Sequence, residues 1–398
     1  MRRAMPYALG LIFAMIPLFP SFIALADVQF PGVSLLPRSA TLAVLGVCVV
    51  LAVYATVMLV RYPRAGSVPL LLPLVSVFGA GVLAGAVGFN PAAGVVFTGI
   101  GGLSIVWHSS VMRFYADRNA AQAIFVAILV SGATASLTAI IMVVTKFPAS
   151  QYAIAHGRAT GGFILPGELA GYLIVLLPIA YACARVMQHP AIRLAAWVAI
   201  AVGAVALALT FSRAGWMGFA AAAAFLIAVQ TRRTAAAALV VVAGMLAVLL
   251  LFNAHHDPSE DYTRLSIWGT ALQIVDRFTL TGVGPFNFSR LYGALRAPDG
   301  DPTAFHAHSL YLTFFAEFGI IGLLTVAWTM WRFGAELRRR LRASRAPDAF
   351  LSLSVTAGLL GVAVQGLIDT VSLVIFGLWM PIMALALASA QGGDPELI

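Results

Sequence analysis

Apolar runs of about twenty residues recur along the chain, separated by short polar breaks. They fall near 7–26, 39–60, 69–88, 92–111, 120–145, 166–187, 194–211, 214–229, 235–252, 309–331, 350–368 and 372–390. The runs are continuous and rich in Ala, Leu and Gly, without the two-residue alternation of a membrane strand. A hydrocarbon layer about 30 Å thick takes about 20 helical residues to cross. The pattern therefore predicts an all-α, polytopic integral membrane protein with about twelve transmembrane helices. The first run follows Arg2 and Arg3 and is longer than the apolar region of a cleaved leader, so it reads as a retained helix. No repeat of fixed period and no low-complexity linker divides the chain, which reads as a single domain over 1–398.

Two polar breaks are long, residues 146–165 and 253–308. Within the second, residues 264–277 have the period of an amphipathic helix. Leu265, Ile267, Trp268, Ala271, Leu272, Ile274 and Val275 fill one half of the wheel, and Arg264 falls among them. This arginine is expected to face the membrane domain and to need an anionic partner, either Glu260 or Asp261 or a lipid phosphate.

Composition agrees with a membrane protein: 61% of residues are hydrophobic and 10% charged. The net charge of +9 changes the picture only through its distribution. Taking the N-terminus as cytoplasmic puts 16 of the 24 basic residues on one side, including the block Arg338-Arg339-Arg340-Leu341-Arg342. Both termini are then expected in the cytoplasm and both long loops on the periplasmic side. The block reads as an anchor near anionic membrane lipids, not as a nucleic-acid site. Cys48 and Cys183 lie inside apolar runs and read as small core residues.

The candidate chemistry gathers on the loop side. His306 and His308 stand at the edge of a span, where a neutral imidazole can take a proton from a hydroxyl. Arg213 sits in a tight turn between two spans and reads either as an interfacial anchor or as a phosphate clamp. Arg158, followed by Gly161 and Gly162, can meet a head-group or a sugar, or simply return the chain to the next span. Tyr311 is expected to share a helix face with His308, while Glu317 is turned away from it and reads as a hydrogen-bonding residue for a neighbouring helix. Asp369, at a helix end, can orient a histidine or an arginine, or serve structure alone.

Metal is the weaker reading. His306 and His308 with His255 and His256 fit no usual zinc spacing, and neither metal nor cofactor is expected. Asp299-Gly300-Asp301 reads as a solvated turn, and Gly282-Val283-Gly284-Pro285 as another. Arginines at lipid depth suit a diphosphate whose tail lies between helices, and a histidine at the same level suits activation of a hydroxyl. The residues thus describe glycosyl transfer from a polyprenyl-diphosphate-linked saccharide. A transporter of lipid-linked sugar or another anion is the non-enzyme alternative.

At these positions the chain resembles the O-antigen ligase and polymerase family. The resemblance is carried by Thr210-Phe211-Ser212-Arg213-Ala214-Gly215-Trp216, by Arg264 with Trp268, by Gly282-Val283-Gly284-Pro285, and by His308-Ser309-Leu310-Tyr311-Leu312 through Glu317-Phe318-Gly319-Ile320-Ile321-Gly322. Gly161-Gly162-Phe163 with Pro166 resembles the preceding segment, so the likeness covers roughly 150–370. It departs at Ser309, where many relatives place Asn. The resemblance implies a metal-independent, inverting glycosyltransferase of the bacterial inner membrane that uses an undecaprenyl-diphosphate-linked glycan donor. Arg213 and Arg264 would bind the diphosphate and His308 would activate the acceptor. Arg158, His306, Tyr311 and Asp369 are the expected substrate-binding residues. Lipid A-core is the expected acceptor, with a lipid-linked acceptor, as in a polymerase, the alternative.

Overall fold

The computed structural model describes residues 2–18, 38–63, 68–231, 233–252, 258–302, 304–370 and 373–390, and within them all regular structure is helical. A 3-10 turn at Arg2–Ala4 precedes α1 (Met5–Ala14), α2 (Arg38–Arg61), α3 (Leu71–Val87), α4 (Pro91–Phe114) and α5 (Arg118–Thr145). Then come α6 (Ala149–Ile154), α7 (Pro166–Val186), α8 (Pro190–Leu209), α9 (Arg213–Thr231) and α10 (Thr234–Phe252). The chain continues through α11 (Pro258–Arg277), α12 (Phe288–Leu295), α13 (Leu310–Leu341), α14 (Ala346–Gln365) and α15 (Leu373–Ser389).

Each of the twelve apolar runs overlaps a helix, the first only as far as Ala14, where α1 ends; residues 19–26 of that run lie outside the described residues. Among the described residues, α2, α4, α5, α7, α8, α9, α13 and α14 are long and apolar enough to cross a bilayer. The apolar stretches Leu71–Val87, Thr234–Gly244 and Trp379–Ser389 are shorter.

Polar residues at the run boundaries set the helix starts. Asn90 caps α4 by accepting from Ala92 N at 3.1 Å, and Asp117 caps α5 by accepting from Asn119 N at 3.0 Å. Pro166 and Pro190 open α7 and α8, where a missing amide costs nothing. Small residues then bring helix backbones together. A Cβ at Gly358 of α14 would stand 2.8 Å from the Val175 Cα of α7, and one at Gly218 of α9 would stand 2.5 Å from the Gly361 carbonyl.

The helices share two ends. At one, Arg113 donates to the Tyr62 carbonyl at 2.7 Å and Arg340 to the Leu387 carbonyl at 3.2 Å. The other end carries the long loops.

The largest departure from the predicted pattern is α13. It runs to Leu341, taking the basic block as its last turn, and it is broken at Gly319 (φ 61°, ψ −167°). The segment between α11 and α12 docks into the break through its main chain. Ile320 N donates to Thr279 O at 2.8 Å, Val283 N to Ala316 O at 2.9 Å, and Gly284 N to Glu317 O at 3.0 Å. Gly282 (φ 69°) and Gly319 lie at the crossing, and a Cβ on either would collide with the opposing carbonyl group. Glu317 is buried and accepts from Phe288 N at 3.2 Å, at the start of α12. It therefore serves the loop helix, as expected of a hydrogen-bonding residue for a neighbouring helix.

Helix α11 starts six residues earlier than expected, so Arg264 lies beyond the first turn and escapes the unfavourable end of the helix dipole. Ile267, Ala271 and Ile274 are fully buried, but Leu265 and Leu272 are exposed, so the buried stripe is narrower than the predicted half-wheel.

Candidate active site

At the loop end of the bundle, several segments enclose a cavity of about 950 Å³. Helix α6 contributes Tyr152, the segment after it His156 and Arg158, and the start of α7 Pro166 and Gly167. The α8–α9 turn contributes Phe211, Ser212 and Arg213; α11 contributes Thr263 and Arg264; and the approaches to α13 and α15 contribute Asp301, His308 and Asp369. Three guanidinium groups, two imidazoles and two carboxylates thus meet in one space.

Backbone conformation aims several of these side chains. His156 (φ 51°), Phe211 (φ 48°) and His308 (φ 46°) are all left-handed, although none is glycine. Such residues cost about 1–3 kcal/mol each and persist where the surroundings hold them. The α8–α9 turn is held by Thr210, whose hydroxyl accepts from Ser212 N at 3.2 Å, and by Ser212, whose Oγ accepts from Gly215 N at 3.0 Å. Arg213 leaves this turn to pair with Asp261 at 3.0 Å, with the two side chains 25% and 53% exposed. The acid expected to serve Arg264 therefore serves Arg213, and it ties the first turn of α11 to the membrane domain.

Arg264 turns inward, as its place on the helix wheel requires, and donates to the Ile368 carbonyl at 3.3 Å. Asp369 follows that carbonyl. Its Oδ1 accepts from Thr370 N at 2.8 Å, and the other oxygen lies against Gly167, where any Cβ would strike it.

His308 precedes α13 instead of sitting on it. Ser309 caps the helix, accepting from Leu312 N and donating to the Gly366 carbonyl, both at 3.4 Å. Ser and Asn are both strong helix caps, so the departure at Ser309 preserves the local function. Because His308 is outside the helix, the predicted face shared with Tyr311 does not form. The Tyr311 hydroxyl donates to the Ala363 carbonyl of α14 at 2.7 Å, and Tyr311 does not line the cavity.

His306 is also absent from the cavity wall. It is 4% exposed and packs behind His308, with ring centroids 4.4 Å apart. Its Nδ1 accepts the His308 amide at 3.0 Å. Burial first, and then the neighbouring His308 and Arg264, push His306 well below the ordinary histidine range, so it is neutral at pH 7.

Potential ligand atoms of His306, His308 and Asp369 lie within 4.8 Å of one another. With Nδ1 accepting an amide proton, however, the ring proton of neutral His306 belongs on Nε2, which makes that atom a donor and not a lone-pair metal ligand. His255 and His256 lie outside the described residues.

The fold gathers Arg158, Arg213, Arg264, His308 and Asp369, and leaves His306 and Tyr311 behind them. It adds Tyr152 and Asp301, which the sequence reading left unassigned or gave to solvent, and brings in His156 from the same loop as Arg158. Arg296 holds the turn that presents Asp301 by donating to the Gly300 carbonyl at 2.8 Å. The sequence offered a signal for this in the arginine placed just before the Pro-Asp-Gly turn.

A helical membrane bundle with a cationic, histidine-bearing cavity at one end defines the class of this protein. Residues 198–327 match the family described as O-Antigen ligase, so over that stretch, about a third of the chain, the protein is similar to this family. The matched stretch includes Arg213, Arg264, His306, His308 and the Gly319 break. Comparison with curated proteins gave no match.

Proposed function

We propose that the protein transfers a glycan from undecaprenyl diphosphate to a hydroxyl of lipid A-core, at a cavity facing the periplasm of the bacterial inner membrane, with both termini in the cytoplasm. The observation that carries this reading is the convergence of Arg158, Arg213, Arg264 and His308 on one cavity. It is supported by the family match and by the basic residues at the opposite end of the helices.

In this reading Arg213 and Arg264 hold the diphosphate through planar, multidentate donors, and the polyprenyl tail leaves between helices. The acceptor oxygen attacks the anomeric carbon as the bond from that carbon to the phosphate oxygen breaks. His308 takes the hydroxyl proton, and undecaprenyl diphosphate departs with the electron pair. Negative charge grows on the diphosphate during this step, so the guanidinium groups stabilise the transition state more than the ground state. Arg158 and Asp369 line the remaining wall and are assigned to the saccharides. His306 acts from behind His308, and the Tyr311 hydroxyl is committed to α14.

The test is transfer by purified protein in detergent and EDTA, with an undecaprenyl-diphosphate-linked oligosaccharide and lipid A-core. The expected result is glycan on lipid A-core. Longer lipid-linked chains made without lipid A-core would instead identify a polymerase. Absence of any product would contradict glycosyl transfer and favour transport.

A further inference from the structure

Residue 308 is left-handed (φ 46°), a conformation that side chains other than glycine adopt at a cost and keep only when something holds them. Two bonds hold it. The Ala307 amide donates to Thr313 Oγ1 at 3.0 Å, tying the residue before it to the first turn of α13. The His308 amide donates to Nδ1 of His306 at 3.0 Å, closing a turn from a side chain to the amide two residues on. The His306 ring is itself fixed, packed edge-on against Phe305 with centroids 4.2 Å apart and against His308 at 4.4 Å. It is 4% exposed and does not line the cavity, whereas His308 does.

We propose that His306 is a positioning residue for His308: by accepting the His308 amide at Nδ1, it holds the backbone turn that delivers the His308 imidazole to the cavity. This rests on the reading of His308 as the base that activates the acceptor. The ring is used as a fixed acceptor and not for proton transfer. That use explains why a second histidine stands two residues before the first without reaching the substrate space. It also makes a chemical prediction about substitution. Asparagine places a side-chain oxygen where it can accept the amide two residues on, closing the same turn. Leucine fills comparable space and accepts nothing.

The experiment measures transfer by purified wild type, His306→Asn and His306→Leu, using an undecaprenyl-diphosphate-linked oligosaccharide and lipid A-core. His306→Leu is expected to lower kcat by about 10²-fold, the scale of a small displacement of a reacting group, with donor KM unchanged. His306→Asn is expected to recover most of that loss. Wild-type kcat in His306→Leu would overturn the proposal, as would an asparagine variant as impaired as the leucine one, because the imidazole itself would then be required. A second measurement needs no activity: ¹⁵N spectra of histidine-labelled wild-type protein near pH 7, assigned by loss of the signal in His306→Asn. An unprotonated Nδ1 on His306 is expected, and a proton on Nδ1 would overturn the proposal even if leucine prevents folding. A wild type that transfers nothing contradicts the proposed function, and the ¹⁵N result then decides the role of His306 by itself.

Discussion

Helices α7 and α13 both carry apolar, span-length sequences, but they are fixed in place by different means. Along α7 the fastening is mostly apolar side-chain packing, with Leu169, Leu173 and Ile179 fully enclosed. In α13 the middle of the helix is open, and the chain between α11 and α12 donates to and accepts from it through main-chain atoms. Side-chain burial needs only apolar residues in the right rows, so it tolerates exchange among them. Main-chain docking needs glycine at the crossing, and it fixes the loop that carries Arg264, Asp301 and His308 to the bundle. The regular helices provide a frame, and the broken one positions the chemistry.

The sharpest break in this comparison comes from the chemistry itself. His308→Ala is expected to reduce transfer by about 10²–10⁴-fold, the usual contribution of a positioned general base. Thermal unfolding in detergent should change little, because His308 lies at the cavity and not in a helix. Next comes the frame of the broken helix. Gly319→Ala places a Cβ against the Leu280 carbonyl at φ 61°, and should destabilise the protein by at least about 1–3 kcal/mol. Gly334, lower on the same helix, has open space where a Cβ would stand. Gly334→Ala should therefore leave the melting temperature unchanged or raise it slightly, by the equivalent of about 0.5–1 kcal/mol. Equal effects from the two variants would show that the break does not hold the loop.

Acidification probes the interior behind the site. The folded pKa of His306 is depressed, so below about pH 6.5 the unfolded chain binds a proton that the folded protein excludes. Stability should be flat above that value with respect to this group and fall as pH drops below it. Melting temperatures across pH in wild type and His306→Asn isolate the effect, and the acid-side slope should be shallower in the variant. The smallest effect is expected at Asp261. This half-exposed carboxylate competes for Arg213, and such pairs are worth about 0.2–1 kcal/mol. Asp261→Asn should lower donor KM by a factor of at most about 5. An increase would mean that the pair holds α11 in its binding position.

These contrasts also explain what was legible in the chain. Hydropathy located the helices, eight of them span-length among the described residues, because the bilayer selects for length and apolarity, and both are visible residue by residue. Arg213, Arg264, His308 and Asp369 were visible because charged or titratable residues at span edges stand out against an apolar background. The helix break was not, since Gly319 resembles any other glycine in a span until Gly282 is known to lie against Glu317. Tyr311 does not share a face with His308, because that helical face was extended through Ser309 to a residue that precedes the helix. Asp261 was matched to the wrong arginine, since proximity in sequence says nothing about the turn 48 residues away.

The most direct test of the site's division of labour is the binding of undecaprenyl-diphosphate-linked oligosaccharide to wild type, Arg264→Lys and His308→Ala. Lysine keeps the charge but loses the planar fork, and Arg264→Lys should weaken donor binding by roughly 10-fold or more. His308→Ala should bind the donor as tightly as wild type while transferring almost nothing. Undiminished binding in Arg264→Lys, together with lost binding in His308→Ala, would contradict the assignment of arginine to the diphosphate and histidine to the acceptor.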